Sequence, residues 1–406
     1  MVSTTARLAL AVALVGSSAV AASAATLDTG FGTRPSDIKG YIMHNGRQIA
    51  VGSAAGRVRA IRHVLPQNIF INPKHAFYVA DPSMNAIVLF SKNGTGNQFP
   101  EAVLSGPSTQ LDGPIAVTSG YDQPCTANAT PSAANCTNYI WVANQLNDTI
   151  TVYGGSSVGQ YPLHSPIQVP SYVYYTSSSC TPQFTAPTGI SHIDPVFPNT
   201  SGYVVVTDSA ANDLQIYPPA GFGVVCPDSS YTDGRFALPA GVSIDGALPN
   251  LTFLNANAAP GTVIGTQYFD NGFGTGTYAP LPVGTIWGPG PGAQVVGTTI
   301  DTTKPQGGYI WASSDANVPV PFDALWVCTD HEFVHAIANT CPLAPAITTG
   351  LSTPGLLRIA GYNHLIYVPN EGNGTVTSYK QAVSASPVAT YVNLGTPTGV
   401  GVEGQF

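Results

Sequence analysis

The sequence repeats one phrase, and this repetition limits the possible folds more than any other feature. The phrase begins with an apolar, β-rich run, passes through a turn of Asn, Asp, Ser or Gly, and ends in a run that alternates apolar and polar residues. This pattern is typical of a β-hairpin. Clear copies occur at residues 77–90, 139–153, 203–217 and 365–379, and weaker copies at 251–269 and 309–328.

A second phrase leads into the hairpins. It is a short apolar strand introduced by Gly or Pro, as in PTGISHID at 187–194 and PAGVSIDG at 239–246. A connector with room for a further strand separates each hairpin from the next copy. The unit is therefore about four strands in roughly 45 to 75 residues, which is the size of a propeller blade. The other copies lie at 113–120, 292–301 and 354–361, with QNIFINPK (67–74) before the first hairpin and PTGVGVEG (397–404) after the last.

These phrases predict an all-β fold, a β-propeller of four-stranded blades. Six hairpins favour six blades, with the ring closed by N- and C-terminal strands, because residues 397–404 have no hairpin after them. Residues 46–64 leave seven blades open, since they could form the hairpin of one more blade. The predicted organisation is a signal peptide at 1–24, an N-terminal segment at 25–66 that contributes to ring closure, and the propeller at 67–406.

The first residues have the pattern of a secretory signal peptide. Arg7 supplies the positive charge, residues 8–15 form an apolar run, and residues 22–24 read Ala-Ser-Ala before the expected cleavage point. The apolar run is shorter than the roughly 20 residues that a membrane span needs. We therefore expect a secreted protein, extracellular or periplasmic, without a membrane span.

Six cysteines follow this segment, and an even number in an exported chain indicates disulfides. Six cysteines allow 15 connectivities. Short loops favour the pairs Cys125–Cys136 and Cys328–Cys341, which leaves Cys180–Cys226. Free or metal-binding thiols are the alternative.

The two phrases together resemble the repeat of NHL-type and lactonase-type secreted β-propellers. The segments GPIAVTSG…YIWVANQLNDTITVYG and PTGISHID…YVVVTDSAANDLQIYPPAG carry the resemblance best, and it covers about residues 67–404. It implies a propeller architecture. It leaves the function open, because such propellers serve as binding scaffolds and as several kinds of enzyme.

The segment HEFVH at 331–335 is an H-E-x-x-H sequence. On a helix this spacing places His331 and His335 on one face to hold zinc, with Glu332 as general base. The extended motif has Gly and His where this chain has Ala338 and Cys341, and the setting is an insertion in a β repeat. We interpret the segment as a capped surface helix whose two histidines are a candidate metal pair. A zinc metallopeptidase is the less favoured alternative.

The lactonase-type resemblance implies a second candidate, a Ca²⁺ ion on the propeller axis held by carboxylate and amide oxygens. Most of the available oxygen ligands sit at places that repeat from blade to blade, which favours a structural role over one asymmetric site. A carboxylate and amide cluster on the axis would favour a Ca²⁺-dependent lactonase, and an apolar or water-filled axis a scaffold. The candidates are Asn144, Asp194, Asp245, Asn255, Asp301, Asn370 and Glu403.

Charge excludes one class of partner. The chain has only 13 Lys and Arg residues and a net charge of −8, so a basic nucleic-acid surface is not expected. The sequence therefore predicts a secreted binding or interaction module with no assigned catalysis and no assigned cofactor, calcium and zinc being the open alternatives. Its ligand, an extracellular protein, a glycan or a small molecule, is expected at one end of the axis.

Overall fold

The computed structural model divides into two compact units, Met1–Val64 and Leu65–Phe406. In the first unit, β1 (Ile38–His44) and β2 (Arg47–Gly52) form an antiparallel hairpin. The described residues are 38–44, 47–52, 76–92, 94–121, 138–154, 172–175, 180, 184–193, 203–218, 223–247, 250–258, 262–269, 277–280, 286–287, 294–300, 309–315, 323–329, 345–359 and 363–402.

The second unit consists of short strands. Its described helical turns are the 3-10 turns Pro107–Thr109 and Glu371–Asn373. The strands are β3 (Ala76–Asp81), β4 (Ala86–Ser91), β5 (Gly96–Gln98), β6 (Ala102–Ser105), β7 (Pro114–Tyr121), β8 (Asn138–Asn144), β9 (Thr149–Gly154), β10 (Tyr172–Tyr175), β11 (Pro187–Ile193), β12 (Tyr203–Asp208), β13 (Asp213–Tyr217), β14 (Gly223–Val224), β15 (Ser229–Thr232), β16 (Pro239–Ala247), β17 (Asn250–Asn257), β18 (Thr262–Phe269), β19 (Thr277–Pro280), β20 (Ile286–Trp287), β21 (Gln294–Ile300), β22 (Tyr309–Asp315), β23 (Ala324–Thr329), β24 (Arg358–Ile359), β25 (Leu365–Asn370), β26 (Thr375–Lys380), β27 (Ala389–Tyr391) and β28 (Gly399–Val402).

Within the described part of this unit the strands form six sheets, which we number blades 1 to 6. Neighbouring strands along the chain pair antiparallel, as the hairpin phrases predict. Blade 1 is β28-β3-β4-β6, blade 2 is β7-β8-β9-β10 with β14, blade 3 is β11-β12-β13-β15, blade 4 is β16-β17-β18-β19 with β20, blade 5 is β21-β22-β23, and blade 6 is β24-β25-β26-β27 with β5.

The inner strands of these sheets form a ring. Each contacts the next in the order β28, β7, β11, β16, β21, β24, and β24 contacts β28 again. The structure therefore confirms the all-β propeller. The last strand pairs antiparallel with β3, Val400 opposite Val79, and so completes blade 1. The choice between six and seven blades, and a part for 25–66 in closing the ring, stay predictions because residues 53–75 lie outside the described residues.

The backbone conformation of the hairpin turns explains which residue types occupy them. In blades 1, 2 and 3 the last turn residue has positive φ: Asn85 at 47°, Asp148 at 52° and Asn212 at 54°. In blade 6 the same place is Gly374, at 66°. Asn, Asp and Gly tolerate this left-handed conformation best, so the turn formers in the repeated phrase match the backbone they must adopt.

Apolar side chains fill the seams between blades. Between blades 2 and 3, Trp141 and Ile150 pack with Ile190 and Tyr217. Between blades 1 and 6 the contacts are aromatic, and Phe77 meets Tyr391 edge-on with ring centroids 4.7 Å apart. A single blade cannot bury both faces of its sheet, so these seams are the hydrophobic core of the propeller.

Connectors cover two outer edges. β5 leaves the connector of blade 1 and pairs in parallel with β27 of blade 6, and β14 leaves the connector of blade 3 and pairs in parallel with β10 of blade 2. Added strands of this kind satisfy backbone groups that an edge would otherwise expose. Cys180 and Cys226 form a disulfide, and Cys226 follows β14 closely in sequence. No helix in the described ranges is long and apolar enough to cross a membrane.

Candidate functional site

Two side chains of blade 6 reach across the ring. Leu356 lies just before β24 and Arg358 begins it, so they are two residues apart. In the register of the sheets, the corresponding places of the other blades carry only small residues. They are Ala116, Gly189, Gly241, Gly297 and Gly399 at the level of Leu356, and Thr118, Ser191, Ser243, Thr299 and Gly401 at the level of Arg358.

The Arg358 guanidinium binds backbone carbonyls of three different blades. Its Nη2 donates to the carbonyl oxygens of Ile190 (2.7 Å) and Val242 (2.9 Å), and its Nη1 to that of Thr298 (3.0 Å). These three carbonyls occupy equivalent places in β11, β16 and β21. Arg358 is only 6% exposed, and burial lowers its pKa to about 10, so it remains a cation at neutral pH.

Leu356 fills the axis at the level below. A Cβ built on Gly241 of blade 4 would lie 2.7 Å from Leu356 Cδ2, and one on Gly399 of blade 1 would lie 3.4 Å from Cδ1. Leu356 is thus within contact distance of strands that belong to two other blades. At both levels the small residues of five blades make room for one large side chain from blade 6.

This arrangement bears directly on the calcium hypothesis. A buried guanidinium on the axis repels a second cation and takes up carbonyl oxygens that Ca²⁺ would require. Asn255 pairs with Val242 and Ile264, which belong to the seam between blades 3 and 4, so its side chain faces that seam. The side chains of Asp194, Asp245, Asp301 and Glu403 lie outside the described residues, and a calcium site there stays a prediction.

Asn144 and Asn370 form the same backbone clamp in blades 2 and 6. Asn144 Oδ1 accepts from the Asp112 N–H (3.2 Å), and its Nδ2 donates to the hydroxyls of Thr149 (3.2 Å) and Thr151 (3.1 Å). The clamp joins the loop that enters the blade to the hairpin of the same blade. In blade 6, Asn370 does this with the Ser352 N–H and the hydroxyls of Thr375 and Thr377.

In blades 1, 3 and 4 the same position, the last residue of the blade's second strand, also holds the entering loop; we call this position the clamp slot. Asp81 accepts the backbone N–H of Gly395 and Thr396, Asp208 that of Thr185 and Ala186, and Asn257 that of Ala237. These polar side chains are therefore occupied with the fold. Their repetition, which the hairpin phrase already displayed, has a structural cause.

We expect Asn144→Asp to lower the free energy of unfolding by about 2 kcal/mol, because a carboxylate cannot donate to the two threonine hydroxyls. Asn147→Asp is the matched control, since Asn147 is exposed on the same turn and only accepts from Thr149. It should change stability by less than about 0.5 kcal/mol. Urea unfolding at pH 7 measures both. Equal effects would show that donation by Asn144 contributes nothing.

The H-E-x-x-H segment lies in the connection that follows β23 of blade 5. β23 ends at Thr329, and the chain returns at Ala346 and Ile347, whose backbone N–H groups both donate to the carbonyl of Leu325. His331, Glu332, His335 and Cys341 lie outside the described residues. Cys328, near the end of β23, is disulfide-bonded. Across the described ranges no group of three or more His, Cys, Asp or Glu is placed to hold a metal ion. Zinc at His331 and His335 stays a prediction.

The two ends of the propeller differ in their connections. At the end where inner strands begin, the entry end, the hairpin turns 82–85, 145–148, 209–212 and 371–374 are short, whereas the connection 316–323 of blade 5 is longer. At the other, the exit end, register places the ends of β7, β9 and β23 beside the starts of β8 and β22. The chain leaves the exit end for residues 122–137, 155–171 and 330–344, all outside the described residues. Cys125 and Cys136 belong to the first of these.

No protein-family model and no curated protein sequence matches the chain. Similar folds occur among solved structures. A nidogen–laminin complex aligns with TM-score 0.47 and 11% identity over 81% of this chain and 97% of that one. A putative 6-phosphogluconolactonase from Bacteroides uniformis gives 0.42 and 11% over 80% and 98%, and a virginiamycin B lyase from Staphylococcus aureus 0.38 and 11% over 80% and 87%.

Sequence reasoning missed the axial pair. The signal was present in the second phrase: PGLLRIAG has Leu356 and Arg358 where PTGISHID and PAGVSIDG have Gly and Ser. Aligning the copies position by position, with Gly241 and Ser243 as references, exposes the two large residues.

Proposed function

We propose that the chain is a binding module whose propeller is a rigid scaffold and whose ligand is held at the exit end. The filled axis is the observation that carries the proposal. Arg358 and Leu356 occupy the levels where inner strands meet, so the middle of the ring serves to join blades. The clamp residues Asn144, Asp208 and Asn370 are likewise committed to backbone contacts.

The asymmetry between the ends supports the choice of the exit end. Binding residues are disproportionately found on loops that a rigid scaffold positions. The long connections 122–137, 155–171 and 330–344 all start from described strand ends at the exit end. The disulfide between Cys180 and Cys226 is compatible with an extracellular location.

Binding can be located with two variants of blade 2. One replaces residues 155–171, which contain no cysteine, with a short Gly/Ser linker. The other is Leu146→Ser, at an entry-end side chain that is 74% exposed. The full chain is immobilised and screened against an extracellular protein panel and a glycan array. We expect a ligand whose binding is lost in the linker variant and retained in Leu146→Ser. The reverse pattern would place the ligand at the entry end.

The enzyme alternative makes a different prediction. A Ca²⁺-dependent lactonase needs its metal, so Ca²⁺ should raise the melting temperature and EDTA should lower it. We expect neither reagent to shift the melting temperature by more than about 1 °C, and no turnover in a screen of aliphatic and aromatic lactones. Lactone hydrolysis that EDTA abolishes would overturn the scaffold proposal.

A further inference from the structure

The clamp slot of blade 3 differs chemically from that of blades 2, 4 and 6. In blades 2, 4 and 6 an Asn stands opposite a Thr, as Asn144 opposite Thr149, and the amide donates to the hydroxyl. In blade 3 the same two places carry Asp208 and Asp213, paired in register at the ends of β12 and β13. Directly opposite residues of an antiparallel pair have Cβ atoms about 4.5–5.5 Å apart, so two acceptors meet where the repeat has a donor and an acceptor.

Asp208 accepts hydrogen bonds with both carboxyl oxygens. Its Oδ1 accepts the N–H groups of Ala186, Ala210 and Ala211, each at 3.1 Å, and its Oδ2 accepts the Thr185 N–H at 2.6 Å. These contacts hold the loop that enters blade 3 against the hairpin turn. All of them require acceptor oxygens, so a proton between the two carboxyls belongs on Asp213.

Asp213 is buried, with 2% of its surface exposed, and begins a polar stripe on β13. The Gln215 amide nitrogen donates to both carboxyl oxygens of Asp213, at 3.0 and 3.1 Å, and the Tyr217 hydroxyl donates to Gln215 Oε1. Tyr217 packs in the seam with blade 2, where Phe184 stacks on its ring. Protonation at Asp213 is thus connected to the seam through two hydrogen bonds.

We propose that Asp208 and Asp213 are a proton-sensing pair, which binds one proton in mildly acidic solution and thereby stabilises the junction between blade 2 and blade 3. Among the described residues, the titratable groups that face the pair are Tyr217 on β13 and Asp148 on the turn of blade 2. Desolvation first, and the neighbouring Asp208 charge after it, raise the pKa of Asp213 to about 6, and the same two causes raise the pKa of Asp148. Burial first, and the charges of Asp213 and Asp208 after it, raise the pKa of Tyr217, which stays neutral throughout this range.

The sign follows from linkage. A folded pKa above the unfolded value means that the folded protein binds the proton more tightly. The contribution of this proton to the stability of the folded protein is complete below about pH 4 and is lost as the pH rises through about 6. Asp213→Asn keeps the shape of the protonated form, donates to Asp208 and still accepts from Gln215. Asp208→Asn restores the amide donor of blades 2 and 6.

The test is carboxyl ¹³C NMR of aspartate-labelled full-length protein, with melting curves from pH 4 to 8. In the wild type we expect the Asp213 signal, assigned by its loss in Asp213→Asn, to titrate near pH 6, and at a lower pH in Asp208→Asn, where desolvation still acts but the neighbouring charge is gone. The melting temperature of Asp213→Asn should exceed that of the wild type at pH 7.5 and equal it at pH 4. Asp228→Asn is the control for removing a partly buried carboxyl that has no acidic partner, because desolvation alone raises the pKa of Asp228. It should leave the titration of Asp213 unchanged.

Hydrogen exchange supplies a second measurement that does not depend on the variants folding well. In the wild type the amides of Thr185, Ala186 and Ala211 should be protected more strongly at pH 5 than at pH 7.5, after correction for the intrinsic rate. A wild-type Asp213 titration near pH 4, or one near pH 6 that Asp208→Asn leaves unchanged, would overturn the proposal. Equal amide protection at the two pH values would also overturn it.

Discussion

Replacing Arg358 with alanine is expected to lower the free energy of unfolding by about 4 kcal/mol. The variant removes three charge-assisted hydrogen bonds, leaves the carbonyls of Ile190, Val242 and Thr298 buried without their donor, and opens a cavity on the axis. Since those carbonyls belong to three blades, the loss should reduce the cooperativity of unfolding as well as its midpoint. Calorimetry measures both.

Two controls separate hydrogen bonding from volume and from charge. Arg358→Met keeps much of the side-chain volume and removes every donor, so it should still cost about 2 kcal/mol. Arg235→Ala removes a half-buried arginine that pairs with Asp233 on its own loop, and should cost less than about 1 kcal/mol. A loss below about 1 kcal/mol in Arg358→Ala would mean that the guanidinium does not hold the ring together.

Gly189→Ala should destabilise the propeller by about 3 kcal/mol. The added Cβ would lie 2.7 Å from Gly241 Cα and 2.9 Å from the Ala240 carbonyl oxygen, both backbone atoms of the next blade. Neither can rotate away, so β11 and β16 must separate and the strain spreads around the ring. Chemical denaturation measures the loss.

Gly234→Ala is the matched control for this prediction. A Cβ on Gly234 would meet no atom within 4 Å, and its φ is not in the left-handed region. Its stability should equal that of the wild type or exceed it slightly, because alanine restricts the unfolded chain. A Gly189→Ala variant as stable as Gly234→Ala would show that adjacent inner strands can move apart at no cost.

The sequence predicted what is local to a hairpin. The Asn and Asp slots, the turn residues and the period-two strands are all visible within one phrase, and their repetition predicted a structural role for Asn144. The role of Arg358 is different, because it depends on where three other inner strands lie, and only the closed ring brings their carbonyls together. The parallel strands β5 and β14 are two or three residues long and have no pattern of their own. Their pairing comes from the path of a connector around the neighbouring blade.

The candidate site divides in the same way. The notion that repeated Asn and Asp residues are structural came from their spacing, and their hydrogen bonds explain it. The acidic pair Asp208 and Asp213 was visible as a departure from the Asn and Thr of blades 2, 4 and 6, but its burial was not. The metal candidates His331 and His335 rest on a motif alone and stay a prediction.

The pairing of β28 with β3 has a consequence for biosynthesis. The inner strand of blade 1 is made of residues 399–402, whereas the rest of that blade begins at residue 76, and the other five blades lie between them in sequence. A ribosome therefore synthesises the strands of blades 2 to 6 between β3 and β28, and blade 1 can be completed only after them. Until then β3 has a free edge. The ring therefore closes only after translation has passed residue 402, so ring closure is a late step of folding.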